Sequence, residues 1–172
     1  MNDQQKMRTA LQFHQQGQHA KAQNIYEALL KELPDDPQVN HFLGMLYQQL
    51  GEHQKALPLL SKAAKLIPQH AQAHSVLAVS LLETGQLDEA ITHLRLALKA
   101  NPNYAPAHNS LGMALKQQGD LASAIASYET AARLNPRAAQ IHNNLGNALA
   151  EDGRLERAIA SYRQAIKLQP SY

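Results

Sequence analysis

The chain has 172 residues, a formal net charge of +2, and neither cysteine nor tryptophan. Without cysteine it can form no disulfide framework and no thiolate metal site, and its Lys and Arg residues are scattered among Asp and Glu, which argues against a nucleic-acid-binding surface. Residues 1–18 lack the apolar core of a secretory signal, and no stretch reaches the roughly 18 apolar residues that span a bilayer. We therefore expect a cytoplasmic protein that does not insert into membranes.

Landmark residues recur every 34 positions along the whole chain. The interval is kept by five glycines, five alanines and five prolines, which are Gly17, Gly51, Gly85, Gly119 and Gly153, Ala22, Ala56, Ala90, Ala124 and Ala158, and Pro34, Pro68, Pro102, Pro136 and Pro170. A fixed interval of this length indicates an array of small repeated units. The units are residues 3–36, 37–70, 71–104, 105–138 and 139–172, and positions within a unit are counted from its first residue.

Apolar residues inside each unit follow helical spacing, which predicts two amphipathic helices per unit. The glycine at position 15 is expected to end the first helix because it accepts positive φ, and the proline at position 32 to end the second. In chain order the predicted helices are residues 4–16, 19–32, 38–50, 53–66, 72–84, 87–100, 106–118, 121–134, 140–152 and 155–168.

The eighth position of every unit holds a residue with almost no side chain, which predicts a close approach of helix backbones; these residues are Ala10, Gly44, Ala78, Gly112 and Gly146. The pattern of a small residue, glycine, alanine and proline at this interval resembles the tetratricopeptide repeat. The resemblance implies an all-α fold, a right-handed superhelix or α-solenoid of five helix-turn-helix repeats in a single domain, residues 1–172. First helices would line a concave groove and second helices would face outward.

The resemblance places ligand contacts on the first helices, and the predicted contacts are His41, Phe42, Met45, Val79, Asn109, Met113, Asn143, Asn144 and Asn147. Met adapts to irregular apolar partners, and Asn donates and accepts at once, which suits an extended peptide backbone. The alternative for the apolar positions is that they pack partly on neighbouring helices. We expect a protein-interaction scaffold that binds a peptide or a partner helix in the groove.

Catalytic and metal motifs are not recognisable in the sequence. It has no phosphate-binding glycine loop and no dinucleotide fingerprint, so we expect no enzyme activity and no cofactor. His74, His108 and His142 share position 4 of successive units, but equivalent side chains on stacked helices lie roughly 8–10 Å apart, whereas ligands of one Zn²⁺ lie about 2 Å from it. We interpret these histidines as smaller substitutes for the aromatic residue that the family usually has there.

A second hypothesis comes from a narrower resemblance. Asn144, within Asn144-Leu145-Gly146, matches the asparagine ladder of O-linked N-acetylglucosamine transferases, and the stretches that begin at His108 and His142 look like repeats of that family. The opening of the chain is similar to repeats that bacterial proteins place ahead of glycosyltransferase or sulfotransferase domains. The chain would then be the substrate-recognition segment of a transferase whose catalytic domain lies beyond Tyr172.

The two ends of the array differ. Lys6 and Thr9 replace the aromatic residue and the leucine of a standard unit, as a polar cap would, while the last helix carries Leu155, Ile159, Tyr162 and Ile166 with no following unit to bury them. We expect either the amino-terminal part of a longer protein or molecules that stack end to end.

Overall fold

The structure is a computed structural model that describes residues 2–170, and every regular element in them is an α-helix. The contacts separate the chain into two compact units, unit 1 (Met1–Gln86) and unit 2 (Leu87–Tyr172). Unit 1 contains α1 (Asp3–Gln15), α2 (His19–Glu32), α3 (Pro37–Gln49), α4 (His53–Leu66) and α5 (Ala71–Glu83). Unit 2 contains α6 (Leu87–Ala100), α7 (Ala105–Gln118), α8 (Leu121–Leu134), α9 (Ala139–Glu151) and α10 (Leu155–Leu168).

The second helix of every repeat has the predicted bounds, whereas each first helix begins one residue earlier than predicted. Helix α3 shows the reason, because Pro37 occupies its first turn and the Asp36 side chain accepts hydrogen bonds from the N–H groups of Gln38 and Val39. Proline suits the first helical position, since its missing N–H would have no partner there and its φ is already helical. The residue that opens a repeat therefore belongs to the helix and not to the turn.

A glycine follows the end of each first helix as predicted, although α1, α3, α5 and α9 each end one residue earlier than predicted. In α7 the chain turns at Gly119, whose φ is 89°, a left-handed conformation that residues with a Cβ rarely adopt. Its N–H donates to the carbonyl oxygen of Leu115 or Lys116, which satisfies a carbonyl in the last helical turn. The other glycines at position 15 also have positive φ.

The predicted close approach of the paired helices is confirmed at the eighth position. A Cβ atom placed on Gly112 would lie 2.7 Å from the ring of Tyr128, on the second helix of the same repeat. The corresponding distance is 2.7 Å from Gly44 to Leu60 and 2.6 Å from Gly146 to Tyr162. A glycine in each of these first helices thus makes room for the large residue that packs against it from the second helix.

Candidate functional site

A groove of about 330 Å³ lies on the first helices of unit 2. It brings together three of the predicted contacts, Met113 on α7 and Asn144 and Asn147 on α9. The complete lining consists of Met113, Lys116, Gln117, Tyr128, Asn144, Asn147 and Glu151.

Two asparagines of this groove are oriented by hydrogen bonds to neighbouring side chains. Asn144 donates from Nδ2 to Oδ1 of Asn109 over 3.1 Å, and the Tyr162 hydroxyl donates to Oδ1 of Asn147 over 2.8 Å. A side-chain amide has two N–H donors and an oxygen with two lone pairs. Asn144 therefore still has one N–H group to donate and a carbonyl oxygen that can accept. Asn147 has both of its amide N–H groups available to a ligand.

The other two predicted contacts in unit 2 lie beside this groove and outside its lining. Asn109 is half-buried and accepts the hydrogen bond from Asn144, while its Nδ2 lies 3.8 Å from Sδ of Met113. Asn143 is half-buried too, and its side chain makes no hydrogen bond within residues 2–170. Asn109 thus acts on the groove indirectly, by positioning Asn144.

Charges of both signs border the unit 2 groove. Nζ of Lys116 on α7 lies 2.8 Å from Oε2 of Glu151 on α9, and the two side chains are 33% and 52% exposed. Such an exposed pair contributes only about 0.2–1 kcal/mol to folding because water screens it. Burial raises the pKa of the Tyr128 phenol to about 12, so this side chain is neutral in the groove.

Unit 1 carries a separate, more apolar groove of about 350 Å³. It brings together the predicted contacts Phe42 and Met45 of α3 with Leu11 and His14 of α1. Phe42 stacks on Tyr26, with ring centroids 6.4 Å apart and an angle of 12° between the rings. This groove can take up an apolar side chain, and the rest of its lining is Gln15 and Gln49.

His41 and Val79 lie outside the lining of both grooves. His41 is 4% exposed, its ring contacts those of Phe42 and His70 at 5.3 and 5.8 Å, and neither ring nitrogen has a hydrogen-bond partner among the described residues. Burial, and then the neighbouring His70, lowers the His41 pKa to about 4, so the imidazole is neutral. Val79 is half-buried on α5. The His41 ring is thus core and is not accessible to a ligand.

Position 13 of the repeat also contributes to both grooves. Gln15 and Gln49 lie in the groove of unit 1, and Gln117 and Glu151 in that of unit 2. The resemblance implies that position 13 faces the groove, as Glu151 does, but sequence analysis did not single out the three glutamines. Position 13 carries an amide or a carboxylate in all five repeats, and this regularity was the available signal for finding them.

The three histidines at position 4 contact backbone in the turns. Nε2 of His74, His108 and His142 lies 3.1, 2.9 and 3.0 Å from the carbonyl oxygen of the proline six residues earlier. Within residues 2–170 no group of three or more His, Asp or Glu side chains is placed to hold a metal ion. No helix in this part of the chain has the length and apolar character needed to cross a membrane.

The helices form pairs that repeat at a fixed interval. A glycine follows each first helix, and three of the five first helices also contain a closely packed glycine. These features define a helical-repeat protein. Two tetratricopeptide repeat models match overlapping parts of the chain, residues 80–119 and 109–172. A third model, described as anaphase-promoting complex, cyclosome, subunit 3, matches residues 15–97. The chain belongs to the tetratricopeptide repeat family.

Solved structures share this fold over almost the whole chain. A crystal structure of MamA is 23% identical with a TM-score of 0.81, and the match covers 94% of this chain and 95% of MamA. A second MamA structure, residues 41 to the end of the protein from Desulfovibrio magneticus RS-1, is 22% identical with a TM-score of 0.83, over 98% and 96% of the two chains. A thermophilic tetratricopeptide repeat protein of Thermus thermophilus is 27% identical with a TM-score of 0.80, and the match covers 98% of this chain and 92% of that protein. Comparison with curated proteins gives no match.

Proposed function

We propose that the chain is a non-catalytic protein-interaction scaffold whose unit 2 groove binds an extended peptide. The observation that carries this proposal is the pair of oriented amides, Asn144 held by Asn109 and Asn147 held by Tyr162. An extended peptide presents N–H and C=O groups along its backbone, and an amide side chain can satisfy either kind. Side chains already held in position lose less conformational entropy when a ligand binds.

The ion pair at the groove restricts the ligand further. Lys116 and Glu151 neutralise each other across α7 and α9, so the groove has no net charge to attract a strongly acidic or basic peptide. Met113 is 43% exposed beside the asparagines and offers an adaptable apolar contact. The chemistry therefore favours a peptide with a regular extended backbone and an apolar side chain.

The apolar groove of unit 1 is proposed as an independent anchor site. Its lining of Leu11, Phe42 and Met45 would bury an apolar side chain of a partner, and burial of a Leu-sized group contributes about 1.5–3 kcal/mol. His14 is held at the rim by Gln49, at 2.8 Å between Nε2 and Oε1. Each groove is a site in its own right, to be tested separately.

The test is selection of a phage-displayed library of random linear peptides on the full chain, followed by fluorescence anisotropy of the selected peptides. For peptides that bind at unit 2, Asn147→Ala is expected to weaken binding about tenfold, which corresponds to about 1.4 kcal/mol and to the loss of one or two hydrogen bonds. Circular dichroism should stay unchanged, because Asn147 is exposed.

The matched control is Asn103→Ala, which removes an exposed asparagine from the turn between α6 and α7. Its affinity for the same peptides should equal that of the unmodified chain. Equal affinity of Asn144→Ala, Asn147→Ala and the control for every selected peptide would refute peptide binding by these amides.

Recognition of transferase substrates is a second candidate function, and it rests on Asn144. The asparagine lines the groove and retains a free carbonyl lone pair and an N–H group, as a residue that holds a substrate backbone requires. Under this proposal the coding sequence after Tyr172 encodes a nucleotide-sugar-binding α/β domain or a sulfotransferase domain. A stop codon or further repeats alone at that point would exclude it.

A cytoplasmic location is part of the scaffold proposal. It is tested by fractionating cells that produce the full-length protein and probing each fraction with an antibody against the repeats. Recovery of the protein in the soluble cytoplasmic fraction supports a cytoplasmic location, and recovery in a membrane or extracytoplasmic fraction contradicts it.

A further inference from the structure

A second groove of unit 1 continues the apolar groove towards the start of α1. It has a volume of about 410 Å³, and its lining includes Met7 and Leu11 of α1. Leu11 also lines the groove that contains Phe42 and Met45 of α3. The two grooves thus form one continuous depression between α1 and α3, called the unit 1 trough below.

The residues that line the unit 1 trough follow the spacing of a coiled-coil seam. Successive lining residues are three, four and three positions apart on α1 and four, three and four apart on α3; they are Gln4, Met7, Leu11 and His14, and Gln38, Phe42, Met45 and Gln49. This alternation is the pattern with which one helix receives the side chains of another. Each seam is about 15–17 Å long at a rise of 1.5 Å per residue, which corresponds to about three turns of a helix.

The middle of the trough is apolar and partly open to a ligand. Its four apolar side chains are half-buried, so part of each can still be covered by a ligand; they are Met7, Leu11, Phe42 and Met45. At one end of the trough His14 of α1 contacts Gln49 of α3, with 2.8 Å between Nε2 and Oε1. This contact joins the two seams where the apolar part of the trough stops.

The same positions of the repeat line the unit 2 groove with different chemistry. Positions 9, 12 and 13 of one first helix and 6, 9 and 13 of the next line a groove in both units, but where unit 1 has Phe42 and Met45, unit 2 has Asn144 and Asn147. An extended backbone in the unit 1 trough would lie against side chains that offer no N–H donor and no oxygen acceptor, which is costly. A helix satisfies its backbone groups internally, so the apolar trough favours a helical ligand.

Arg8 gives the trough a preference for a negatively charged ligand. The lining also contains Asp3, whose Oδ1 lies 3.4 Å from Nζ of Lys6, and Asp36, whose side chain caps α3. The exposed Arg8 side chain has no ion-pair or hydrogen-bond partner within residues 2–170. It lies about one turn before Leu11 on α1, at the edge of the apolar part. A carboxylate of the ligand can pair with it there, whereas a lysine or arginine would be repelled.

We propose that the unit 1 trough binds an amphipathic helix of a partner protein, with apolar residues at the a and d positions of a heptad and an acidic residue opposite Arg8. The proposal deepens the anchor site proposed above and rests on it, since that site requires one buried apolar side chain and the helix buries a stripe of them. The a and d side chains of the partner enter the space between the two seams, as those of a third helix do in a coiled coil.

The experiment is selection, on the full chain, of a phage-displayed library of one helix of about three heptads. Its a and d positions vary among apolar and polar residues, and its flanking positions among glutamate, lysine and glutamine. Selected helices should have apolar residues at successive a and d positions and glutamate at one flanking position. Their affinities for the full chain are measured by fluorescence anisotropy.

Leu11→Lys should weaken binding of the selected helices at least about tenfold, because Leu11 lines both parts of the trough. The matched control is Leu66→Lys, which changes an exposed leucine at the end of α4 and should leave their affinity unaltered. Circular dichroism of both variants confirms that the helices of the chain remain folded.

A proline in the selected peptide separates a helical ligand from an extended one. Proline in the middle of a helix removes a backbone hydrogen bond and clashes with the preceding turn, so at a position that faces solvent it should weaken binding about a hundredfold. Alanine at the same position should have little effect, because it is a good helix former. An extended ligand would tolerate both substitutions.

A charge exchange tests the contact with Arg8. Arg8→Glu should weaken binding of the peptide that carries the flanking glutamate, and lysine in place of that glutamate should restore binding to the variant. Arg8 is exposed, so the fold should not change.

The outcomes distinguish the helix from the anchor site on which it rests. Peptides that lose affinity with Leu11→Lys and Met45→Lys but tolerate proline would overturn the helix and leave the anchor site intact. A failure of the charge exchange would overturn the assignment of the acidic residue opposite Arg8. If no peptide from this library or from the linear library responds more to Leu11→Lys or Met45→Lys than to Leu66→Lys, both the helix and the anchor site are refuted.

Discussion

The side-chain amide of Asn40 donates a hydrogen bond to the carbonyl oxygen of Pro34 over 2.9 Å. Position 4 is histidine in the next three repeats, and each of these rings approaches the equivalent proline carbonyl with Nε2, as His108 does with Pro102 at 2.9 Å. A carbonyl oxygen only accepts, so the imidazole donates from Nε2. Two chemically different side chains thus provide one donor to the turn that joins successive repeats.

The contribution of position 4 to the free energy of unfolding is therefore expected to depend on its hydrogen-bond donor and not on a planar ring. His108→Phe keeps a planar ring but leaves the Pro102 carbonyl without its partner, and it should lower the free energy of unfolding by about 1 kcal/mol. His108→Asn should lose less, because Asn40 makes the same contact in its own repeat. Urea unfolding followed by circular dichroism gives both values. If the phenylalanine variant equals the unmodified chain, the ring alone is sufficient.

The contact between Gly112 and Tyr128 predicts that Gly112→Ala and Gly146→Ala change the stability of the fold by different amounts. Alanine at position 112 would place a methyl group 2.7 Å from the ring of Tyr128, which is buried at 2% exposure. The overlap is expected to cost about 1–3 kcal/mol, against a gain of about 1 kcal/mol in helix propensity.

Gly146→Ala is the matched comparison. Its methyl group would meet Tyr162, which is only half-buried on α10 and can shift outward. The helix propensity gained should then offset most of the strain, so Gly146→Ala is expected to be the more stable variant in thermal unfolding. Equal losses at the two positions would show that the exposure of the tyrosine does not matter.

The buried His41 predicts a loss of stability in acid. Its pKa is lowered to about 4 in the folded chain, first by burial and then by His70, and is about 6.5 in an unfolded chain. The unfolded state therefore binds the proton more readily below pH 6.5. The stabilisation is fully present above about pH 6.5 and is lost as the pH falls towards 4, by an amount on the order of 2–3 kcal/mol.

The His41→Phe variant isolates this effect, because it keeps a buried ring and removes the titratable group. Its unfolding free energy, measured in urea from pH 7 to pH 4, should fall less steeply with pH than that of the unmodified chain. Parallel pH profiles of the two proteins would contradict an origin of the acid sensitivity in His41.

The helix bounds could be predicted because glycine and proline mark the ends of each helix directly in the sequence. Gly119 at a left-handed φ is the example, since its role depends on its own backbone and not on distant neighbours. The start of α3 was displaced by one residue because Asp36 caps the helix ahead of Pro37. A cap is a side-chain interaction, which the period of apolar residues does not report.

The partners within the grooves could not be predicted from the period. A shared position suggests that Asn109 meets Asn143, but the structure pairs Asn109 with Asn144, and likewise Lys116 with Glu151. Both contacts join residues 35 positions apart, one more than the period. Neighbouring first helices present opposite sides to each other, so a residue meets its neighbour from an adjacent position around the helix and not its own equivalent.

The apolar groove of unit 1 gives a prediction for binding that does not involve folding. Met45 is half-buried beside Leu11 and Phe42, and Met45→Lys would bring a charge into the place of an apolar ligand side chain. Affinity for peptides that bind at this groove should fall by more than about tenfold, since burial of one apolar side chain is worth about 1.5–3 kcal/mol. The long lysine side chain can reach solvent, so the helix content should be unchanged.

Leu66→Lys is the control for this variant, because Leu66 is a 43% exposed leucine at the end of α4 and does not line the groove. It introduces the same charge into unit 1 and should leave peptide affinity unaltered. Titration calorimetry of both variants with one selected peptide separates the two effects. A loss of affinity shared by both variants would trace the effect to the added charge and not to the groove, since only Met45 contacts the space that the ligand would occupy.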